Sequence, residues 1–213
     1  MTEPDFAKMR RAMVDGQLRP NTVTEDRVVS AFRTVPREAF VPTEFRPFAY
    51  YDEDIEIAPG RFLLEPLTLG RLLDRANIRE GERTLVIGGG TGYSAALLAM
   101  LGANVVSLDS EDVAPAAAAA DYKIQFVTGD LTAGHADGAP YDMILFEGFV
   151  QQIPADIVAQ VAEGGRIAAV TMDEGAPRAG IGRVFGHRVG WTFFADAYVP
   201  ALPGFAPRRE FTF

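Results

Sequence analysis

The stretch Leu85-Val86-Ile87-Gly88-Gly89-Gly90-Thr91-Gly92-Tyr93 decides the fold. Three apolar residues typical of a buried strand lead directly into a glycine-dense turn, and the helix-forming segment 94–100 follows. A strand, a glycine turn and a helix in this order form the entry to a nucleotide-binding βαβ unit. Glycine suits such a turn because a cofactor approaches the backbone closely and because the turn can require positive φ. The stretch therefore predicts an adenosyl cofactor.

A second strand is predicted at 104–108, and it ends at Asp109. This acid lies about 20 residues beyond the first glycine, where a carboxylate in such folds accepts hydrogen bonds from ribose hydroxyls. Two cofactor classes fit the glycines. The segment 90–95 fits the pattern of nicotinamide dinucleotide enzymes, whereas 88–92 fits the G-x-G-x-G turn of S-adenosylmethionine enzymes.

Predicted strands and helices alternate through much of the chain. Strands are expected at 84–87, 104–108, 124–127, 142–146 and 165–171, with helices between them at 92–101, 112–120 and 154–162. This alternation predicts an α/β fold, with a doubly wound and mostly parallel Rossmann-like sheet and helices on both faces. Upstream, helices are expected at 5–18, 24–34 and 66–76, with an irregular stretch at 41–66.

The C-terminal part is expected to add an antiparallel edge to the sheet. Two strands are predicted there, at about 183–197 and at 208–213, and Gly175–Gly182 is predicted to be a mobile loop. The whole chain, 1–213, is expected to form a single domain. Within it, 1–66 would be an N-terminal helical segment on the substrate side, and 67–213 would be the cofactor-binding core.

Composition excludes several kinds of site. The chain has 213 residues, of which 48% are hydrophobic and 23% charged, as is ordinary for a globular domain. It contains no cysteine, which excludes disulfides, thiolate catalysis and cysteine metal sites. His135 and His187 are its only histidines, so we expect no metal site.

The charge balance disfavours two classes of partner. The formal net charge is −9, and a field of that sign opposes nonspecific binding to nucleic acid and to anionic membranes. No apolar run approaches the roughly 20 residues of a membrane span. The start of the chain, Met1–Arg11, carries acids and has no apolar core, so it does not resemble a signal peptide. We therefore expect a cytoplasmic protein without nucleic-acid or membrane partners.

The predicted strand ends bring polar groups together. Ligands of parallel sheets bind at the carboxyl ends of the strands. The glycine turn follows the first strand of the α/β part, Asp109 the second, Gly129-Asp130 the third and Glu147 the fourth. We therefore expect the turn and three acids to meet on one rim.

Short motifs in a fixed order cover nearly the whole chain. They are Met13-Val14-Asp15-Gly16-Gln17-Leu18, Asp26-Arg27-Val28-Val29, Val35-Pro36-Arg37-Glu38-Ala39-Phe40-Val41-Pro42, Ala49-Tyr50-Tyr51-Asp52, the glycine turn, Gly129-Asp130, Ala139-Pro140-Tyr141-Asp142, Ile153-Pro154 and Gly164-Gly165-Arg166. By these motifs the chain resembles the protein-L-isoaspartate O-methyltransferases, class I enzymes that use S-adenosylmethionine. The resemblance implies methylation of isoaspartyl carboxylates in proteins or peptides, with S-adenosylmethionine as cofactor.

The resemblance also implies the site residues. The cofactor-binding residues would be Gly88, Gly89, Gly90, Thr91, Gly92, Tyr93, Asp109, Ser110, Gly129, Asp130 and Leu131. Asp109 would accept from the ribose, and Asp130 would face the adenine amine, with Leu131 beside the ring. Asp52, Leu64 and Glu147 are the candidates for the catalytic side of the site. The alternative role of Asp52 is that of a capping group in a loop.

The family's hallmark segment is altered in this chain. Members usually carry Gly-Gln-Thr-Ile-Ser-Gln-Pro, where this sequence has Gly60-Arg61-Phe62-Leu63-Leu64-Glu65-Pro66. Phe62 and Leu64 take the places of the threonine and serine, whose hydroxyls in the family lie where cofactor and isoaspartyl group meet. A leucine side chain donates no hydrogen bond. We therefore expect weaker isoaspartyl methylation than in members with the intact motif.

The charged residues near this segment leave the acceptor open. An ionised Glu147 would repel an incoming carboxylate or force one of the two to protonate, and it would suit a hydroxyl or amine acceptor better. Arg61 would neutralise Glu147 or bind an anionic substrate, unless Arg61, Glu65 and Glu147 are all solvated charges on the rim. The alternatives are a methyltransferase for another acceptor, such as a small molecule, a noncatalytic S-adenosylmethionine-binding module, and a nicotinamide oxidoreductase.

Overall fold

A seven-stranded sheet lies at the centre of the computed structural model, which describes residues 4–205. A separate two-stranded hairpin precedes the sheet in the chain. The hairpin contains β1 Ile55–Ala58 and β2 Arg61–Leu63, and the sheet contains β3 Arg83–Ile87, β4 Asn104–Asp109, β5 Ile124–Thr128, β6 Tyr141–Val150, β7 Val161–Asp173, β8 Ala176–Phe185 and β9 Arg188–Asp196.

The sheet has the order β5-β4-β3-β6-β7-β8-β9. The strands from β5 to β7 pair in parallel, whereas β8 is antiparallel to both of its neighbours. Because the chain moves outward from β3 first to one side and then to the other, a crevice opens at the carboxyl ends of β3 and β6. The prediction of a doubly wound, mostly parallel sheet with an antiparallel C-terminal part is confirmed.

Both faces of β3 are covered, which explains its unbroken apolar sequence. The α-helices of the described residues are α1 Phe6–Met13, α2 Asp26–Thr34, α3 Pro66–Ala76, α4 Tyr93–Met100 and α5 Ala155–Val158. Val86 packs into the larger core, which includes residues of α1 to α4. Leu85 and Ile87 point to the opposite face and pack in a second core that includes α5.

The helix predicted at 112–120 is wrong. Between β4 and β5 the chain forms only a short 3₁₀ helix, Ala117–Asp121, after an irregular stretch. Pro115 explains the difference, because an α-helix that began near residue 112 would need the N–H of Pro115 for its first backbone hydrogen bonds. The alanine-rich composition favoured a helix but did not outweigh this missing donor.

The helix predicted at 154–162 is also largely wrong. Only the single turn of α5 forms, and β7 already begins at Val161, which pairs with Tyr141 of β6. Gly164 lies in β7 with a φ of 73°, a conformation that no right-handed helix contains. The long strand therefore takes residues that the periodicity assigned to a helix.

The predicted mobile loop at Gly175–Gly182 is wrong, because 176–182 belongs to β8. Gly180 and Gly182 leave space for aromatic rings of β9. A Cβ on Gly180 would lie 2.7 Å from Phe193, and one on Gly182 would lie 3.2 Å from Trp191. The strand predicted at 183–197 is a hairpin of β8 and β9 instead, and the strand predicted at 208–213 lies outside the described residues.

Arg37 holds the irregular N-terminal stretch against the start of α4. Its side chain is fully buried, with Nε donating to the Ala49 carbonyl at 2.7 Å and Nη2 donating to the Leu64 carbonyl at 2.8 Å. The guanidinium also lies over the Tyr93 ring, 5.1 Å from its centroid. Arg37 therefore joins the loop before β1, the segment before α3 and the start of α4.

We predict that Arg37→Ala lowers the free energy of unfolding by about 2–5 kcal/mol, because two buried carbonyls lose their donors. Urea denaturation measures the change. Arg33→Ala is the matched control, since Arg33 pairs with Asp15 at the surface and such pairs contribute about 0–1 kcal/mol. A loss no larger for Arg37→Ala than for Arg33→Ala would contradict the role given to Arg37.

Candidate functional site

The glycine turn is tied to the neighbouring strand by its backbone. The N–H groups of Gly88 and Gly89 both donate to the Leu108 carbonyl, at 2.9 and 3.3 Å. Gly88, Gly90 and Gly92 have φ values of 78°, 55° and 98°, which side chains other than glycine rarely adopt. The turn therefore depends on its glycines for conformation, as the sequence predicted.

Asp109 lies beside this turn at the end of β4 and is almost fully buried. Its Oδ2 accepts from the N–H of Gly90 at 2.6 Å, and its Oδ1 accepts from the N–H of Ser110 at 2.7 Å. Arg61 Nη2 completes the set, donating to Oδ2 at 2.8 Å and to the Gly88 carbonyl at 2.9 Å. The structure thus brings the predicted acid and the glycine turn together, with a cation from β2 bound to both.

Side chains cover the turn. A Cβ added to Gly90 would collide with Ile57 of the hairpin, and one added to Gly88 would lie 2.5 Å from Leu202. Two backbone hydrogen bonds hold the segment around Leu202 on β6. The Leu202 N–H donates to the Phe149 carbonyl at 2.9 Å, and the Phe149 N–H donates to the Pro200 carbonyl at 2.8 Å. We call Ile57, Arg61 and Leu202 the cover, since a ligand reaches the turn only when they move.

Glu147 lies in an irregularity of β6. Between Leu145 and Phe149 the pairing of β6 with β7 slips, so that three residues of β6 stand opposite one residue of β7. The slip places the Glu147 carboxyl inside the protein, where Ser94 Oγ donates to Oε2. Both Glu147 and Arg61 are buried, so they are not solvated rim charges, and Arg61 pairs with Asp109.

Burial raises the pKa of Glu147 to about 8, because desolvation penalises its charged form. The hydrogen bond from Ser94 and the charges of Arg37 and Arg61 lower this pKa but do not offset the desolvation, and the Asp109 charge raises it further. At neutral pH Glu147 is therefore mostly a neutral acid. The repulsion expected between an ionised Glu147 and an acceptor carboxylate does not arise.

A family model described as protein-L-isoaspartate(D-aspartate) O-methyltransferase matches residues 8–176. The chain belongs to this family. A protein-L-isoaspartate O-methyltransferase of Koribacter versatilis is 38% identical over 168 residues, which are 76% of each chain. One from Methanoculleus marisnigri is 37% identical over 166 residues, 75% of this chain and 76% of the relative.

Solved structures of family members share the fold. A protein-L-isoaspartate O-methyltransferase superposes with a TM-score of 0.75 at 22% identity, over 92% of this chain and 66% of its own length. A second structure, from Plasmodium falciparum and in complex with S-adenosyl-L-homocysteine, also gives a TM-score of 0.75, at 14% identity over 94% of this chain and 99% of the other. At these identities the comparison shows the fold alone.

The altered hallmark segment of the family contributes Arg61 to the cover, and two of its apolar residues, Phe62 and Leu64, lie beside it. Leu64 is fully buried and lines a small cavity that Phe62, Glu147 and Leu202 also line. Arg37 fixes the backbone here through the Leu64 carbonyl. At the positions where the family usually has hydroxyls, this chain therefore presents apolar side chains, with Arg61 and Glu147 as the polar groups beside them.

Asp52 lies apart from this cluster. Its exposed side chain accepts from the N–H of Leu67 at 3.0 Å, which satisfies a free donor in the first turn of α3. The neighbouring Asp54 accepts from the N–H of Glu65 at 2.8 Å, and burial raises its pKa to about 6. The structure thus gives Asp52 the capping contact that was the alternative to a catalytic role.

The third strand end carries the other predicted cofactor residues. Gly129 and Asp130 are exposed, whereas Leu131 is buried. The Asp130 carboxylate accepts from Thr132, and these hydrogen bonds lower its pKa. The Gly129 N–H donates to the Asp109 carbonyl at 3.0 Å, which links this strand end to the acid on β4.

The remaining predicted residues of the turn pack toward the helical core. Thr91 Oγ1 donates to the Phe40 carbonyl at 2.6 Å. Tyr93 is fully buried under Arg37, and desolvation raises the pKa of its hydroxyl. These contacts give Thr91 and Tyr93 a role in holding the turn on the N-terminal segment.

Sequence reasoning missed four residues of the site. They are Arg37, Ile57, Ser94 and Leu202. Arg37 was part of a motif of the family, so its position in the family pattern was an available signal.

Among residues 4–205, no helix is long and apolar enough to cross a membrane, and no cluster of three or more acids and histidines forms a metal site.

We predict that stability falls as pH rises from 5 to 8, and that Glu147→Gln removes part of this slope. The folded-state pKa of about 8 lies above the ordinary value of 4.5, so folding is favoured most while Glu147 keeps its proton. The group's contribution is lost progressively through that window, by about 2–4 kcal/mol in total.

Urea denaturation of both proteins at pH 5 and pH 8 measures the effect. Glu44→Gln is the matched control because Glu44 is exposed, and it should keep the native slope. Equal pH slopes for the native protein and Glu147→Gln would show that Glu147 ionises normally in the folded state.

Proposed function

We propose that this chain is an S-adenosylmethionine-dependent O-methyltransferase that acts on isoaspartyl carboxylates of damaged proteins and so serves protein repair. The family match over residues 8–176 carries this proposal. Relatives at 38% and 37% identity bear the name of that activity, and the matched segment contains the glycine turn, Asp109 and Glu147.

The residues at the carboxyl edge of the sheet fit the cofactor. The turn offers backbone without side chains at Gly88, Gly90 and Gly92, and the Asp109 carboxylate is the group that would hold the ribose. When bound, S-adenosylmethionine supplies a methyl group that its sulfonium already activates. Arg61 and Ile57 must leave their positions on the turn to admit it.

The task left to the protein is alignment. A carboxylate acceptor is ionised at neutral pH, with a pKa of about 3.9–4.3, and therefore needs no general base. Holding acceptor and methyl group in line, away from water, supplies roughly 7–11 kcal/mol of barrier reduction. The buried cluster of Arg61, Leu64 and Glu147 lies where such alignment would take place.

A second candidate is methylation of a different acceptor. It is favoured by one observation, the replacement of both hallmark hydroxyls by Phe62 and Leu64 at the cavity. In that case Leu64→Ser should raise isoaspartyl methylation above the native level. A noncatalytic module would bind the cofactor and transfer no methyl group to any acceptor.

The cytoplasmic location is a further prediction, which cell fractionation tests.

We predict that Asp109→Ala weakens binding of S-adenosylhomocysteine by about 2–4 kcal/mol, through the loss of two charge-assisted hydrogen bonds to the ribose. Isothermal calorimetry measures the affinity, and the exposed Asp156→Ala is the control. A change below about 0.5 kcal/mol would mean that Asp109 does not hold the cofactor.

We also predict that the native protein transfers labelled methyl groups to a peptide that contains isoaspartate and not to the same peptide with ordinary aspartate. The rate should lie below that of a family member with intact hydroxyls by about 10²–10³, the cost of losing one preorganised donor. Cofactor binding without transfer to the isoaspartyl peptide would refute the isoaspartyl assignment while leaving the methyltransferase fold intact.

A further inference from the structure

The outer edge of β5 is open for pairing. β5 is the last strand on one side of the sheet, and among residues 4–205 no strand pairs with its outer edge. The Gly129 N–H donates to the Asp109 carbonyl of β4. Because successive residues of a strand direct their N–H and C=O groups alternately to its two sides, the odd-numbered residues of β5 bond to β4. The N–H and C=O groups of Phe126 and Thr128 therefore point outward.

β5 lacks the features that usually protect an edge strand. Its sequence, Ile124-Gln125-Phe126-Val127-Thr128, contains no charge and no proline, and its pairing with β4 has no bulge. The strand at the opposite edge, β9, carries Phe194 as an extra residue in its pairing with β8, and such a bulge disturbs an edge. A regular, uncharged edge is a template for another strand. Of the two edges, β5 is therefore the one suited to pairing.

Apolar surface accompanies these free backbone groups. Phe126 is 37% exposed, and its ring lies against Gly92, where an added Cβ would be 3.1 Å from it. On the other face of the strand, Val127 is partly buried beside the exposed Gln125. A strand that pairs with β5 would therefore gain side-chain contacts on both faces of the sheet.

The charges at the two ends of β5 favour a second copy of this chain as the partner. Lys123 precedes the strand and Asp130 follows it by one residue, and both are exposed. If two copies of β5 pair antiparallel with Phe126 at the centre, Lys123 of each copy lies opposite Gly129 of the other, next to Asp130. The strand is thus complementary to itself in charge, and the symmetry repeats the opposite charges at both ends.

We propose that two copies of this chain associate through β5 and form a symmetric dimer with one continuous sheet. The Phe126 residues of the two copies exchange N–H···O=C hydrogen bonds at the two-fold axis, and the Thr128 N–H of each copy donates to the Ile124 carbonyl of the other. The Phe126 rings meet on one face of the joined sheet. Because the edge is short, the dimer is weak and forms at micromolar or higher concentration.

Sedimentation velocity measures the association of the full chain from about 1 to 500 μM. In about 0.15 M salt the Debye length of about 8 Å screens the net charge of −9 beyond contact distance. The weight-average mass should rise from the 23.1 kDa of one chain toward twice that value. A mass that stays at one chain over the whole range overturns the proposal. The readout needs no methyl transfer, so it is independent of the proposed function.

Amide hydrogen exchange followed by NMR locates the interface. The Phe126 and Thr128 amides should exchange several-fold more slowly in concentrated than in dilute protein, because pairing closes the edge. The Gln125 and Val127 amides bond to β4 and should not depend on concentration. A dimer that slows the amides of β9 instead, or that leaves Phe126 and Thr128 unchanged, contradicts the proposal.

A backbone variant tests the outward hydrogen bonds. Thr128→Pro removes an N–H that β4 does not use, so it should weaken association roughly tenfold or more while the sheet remains intact. Thr128→Val keeps this N–H and should associate like the native protein. Native affinity in Thr128→Pro, with a native circular dichroism spectrum, would exclude this edge from the dimer. If Thr128→Pro does not fold, the charge variants below carry the test.

Charge exchange tests the register and leaves the backbone unchanged. Lys123→Glu and Asp130→Lys each bring like charges together at both ends, so each variant alone should associate about tenfold more weakly. An equal mixture of the two restores opposite charges and should form a heterodimer of native affinity. Lys8→Glu changes the other lysine of the chain, which is exposed on α1, and is the control for net charge. Equal losses in Lys8→Glu and Lys123→Glu, without recovery on mixing, overturn the proposed pairing.

Discussion

The ion pair between Arg61 and Asp109 determines how the N-terminal hairpin meets the α/β sheet. Both side chains are almost fully buried, and an unpaired charge at either position would cost several kcal/mol. The backbone N–H groups of Gly90 and Ser110 satisfy the rest of the carboxylate, while the Gly88 carbonyl takes a second bond from the guanidinium. Because these contacts must form together, the hairpin has one favourable position, which places Ile57 over Gly90.

Local sequence predicted the elements whose full signal lies within a few residues. In β3, the glycine turn and α4, apolar pattern, backbone freedom and helix propensity all agree. The errors came where one residue type has two physical uses. A glycine that makes room for Phe193 on the next strand looks the same in sequence as a glycine in a loop, so β8 was missed. At 112–120, the alanine composition favours a helix that the missing donor of Pro115 prevents.

The site was predictable to the extent that it follows from strand ends. Asp109 and the glycine turn could be placed together because parallel strands bring their carboxyl ends to one edge. The partner of Asp109 could not be predicted, because Arg61 is 48 residues away in the sequence. It reaches Asp109 through a hairpin that the apolar pattern of the sequence did not indicate. The burial of Glu147 depends on a slip in strand pairing, and no local periodicity encodes such a slip.

The two backbone hydrogen bonds between Phe149 and the segment 200–202 affect the speed of ligand exchange. Two backbone hydrogen bonds hold Leu202 over the turn, so the site is reached only during openings of the cover. Association that waits on a conformational step is slower than collision. As ligand concentration rises, the observed rate should therefore level off at the opening rate instead of increasing in proportion.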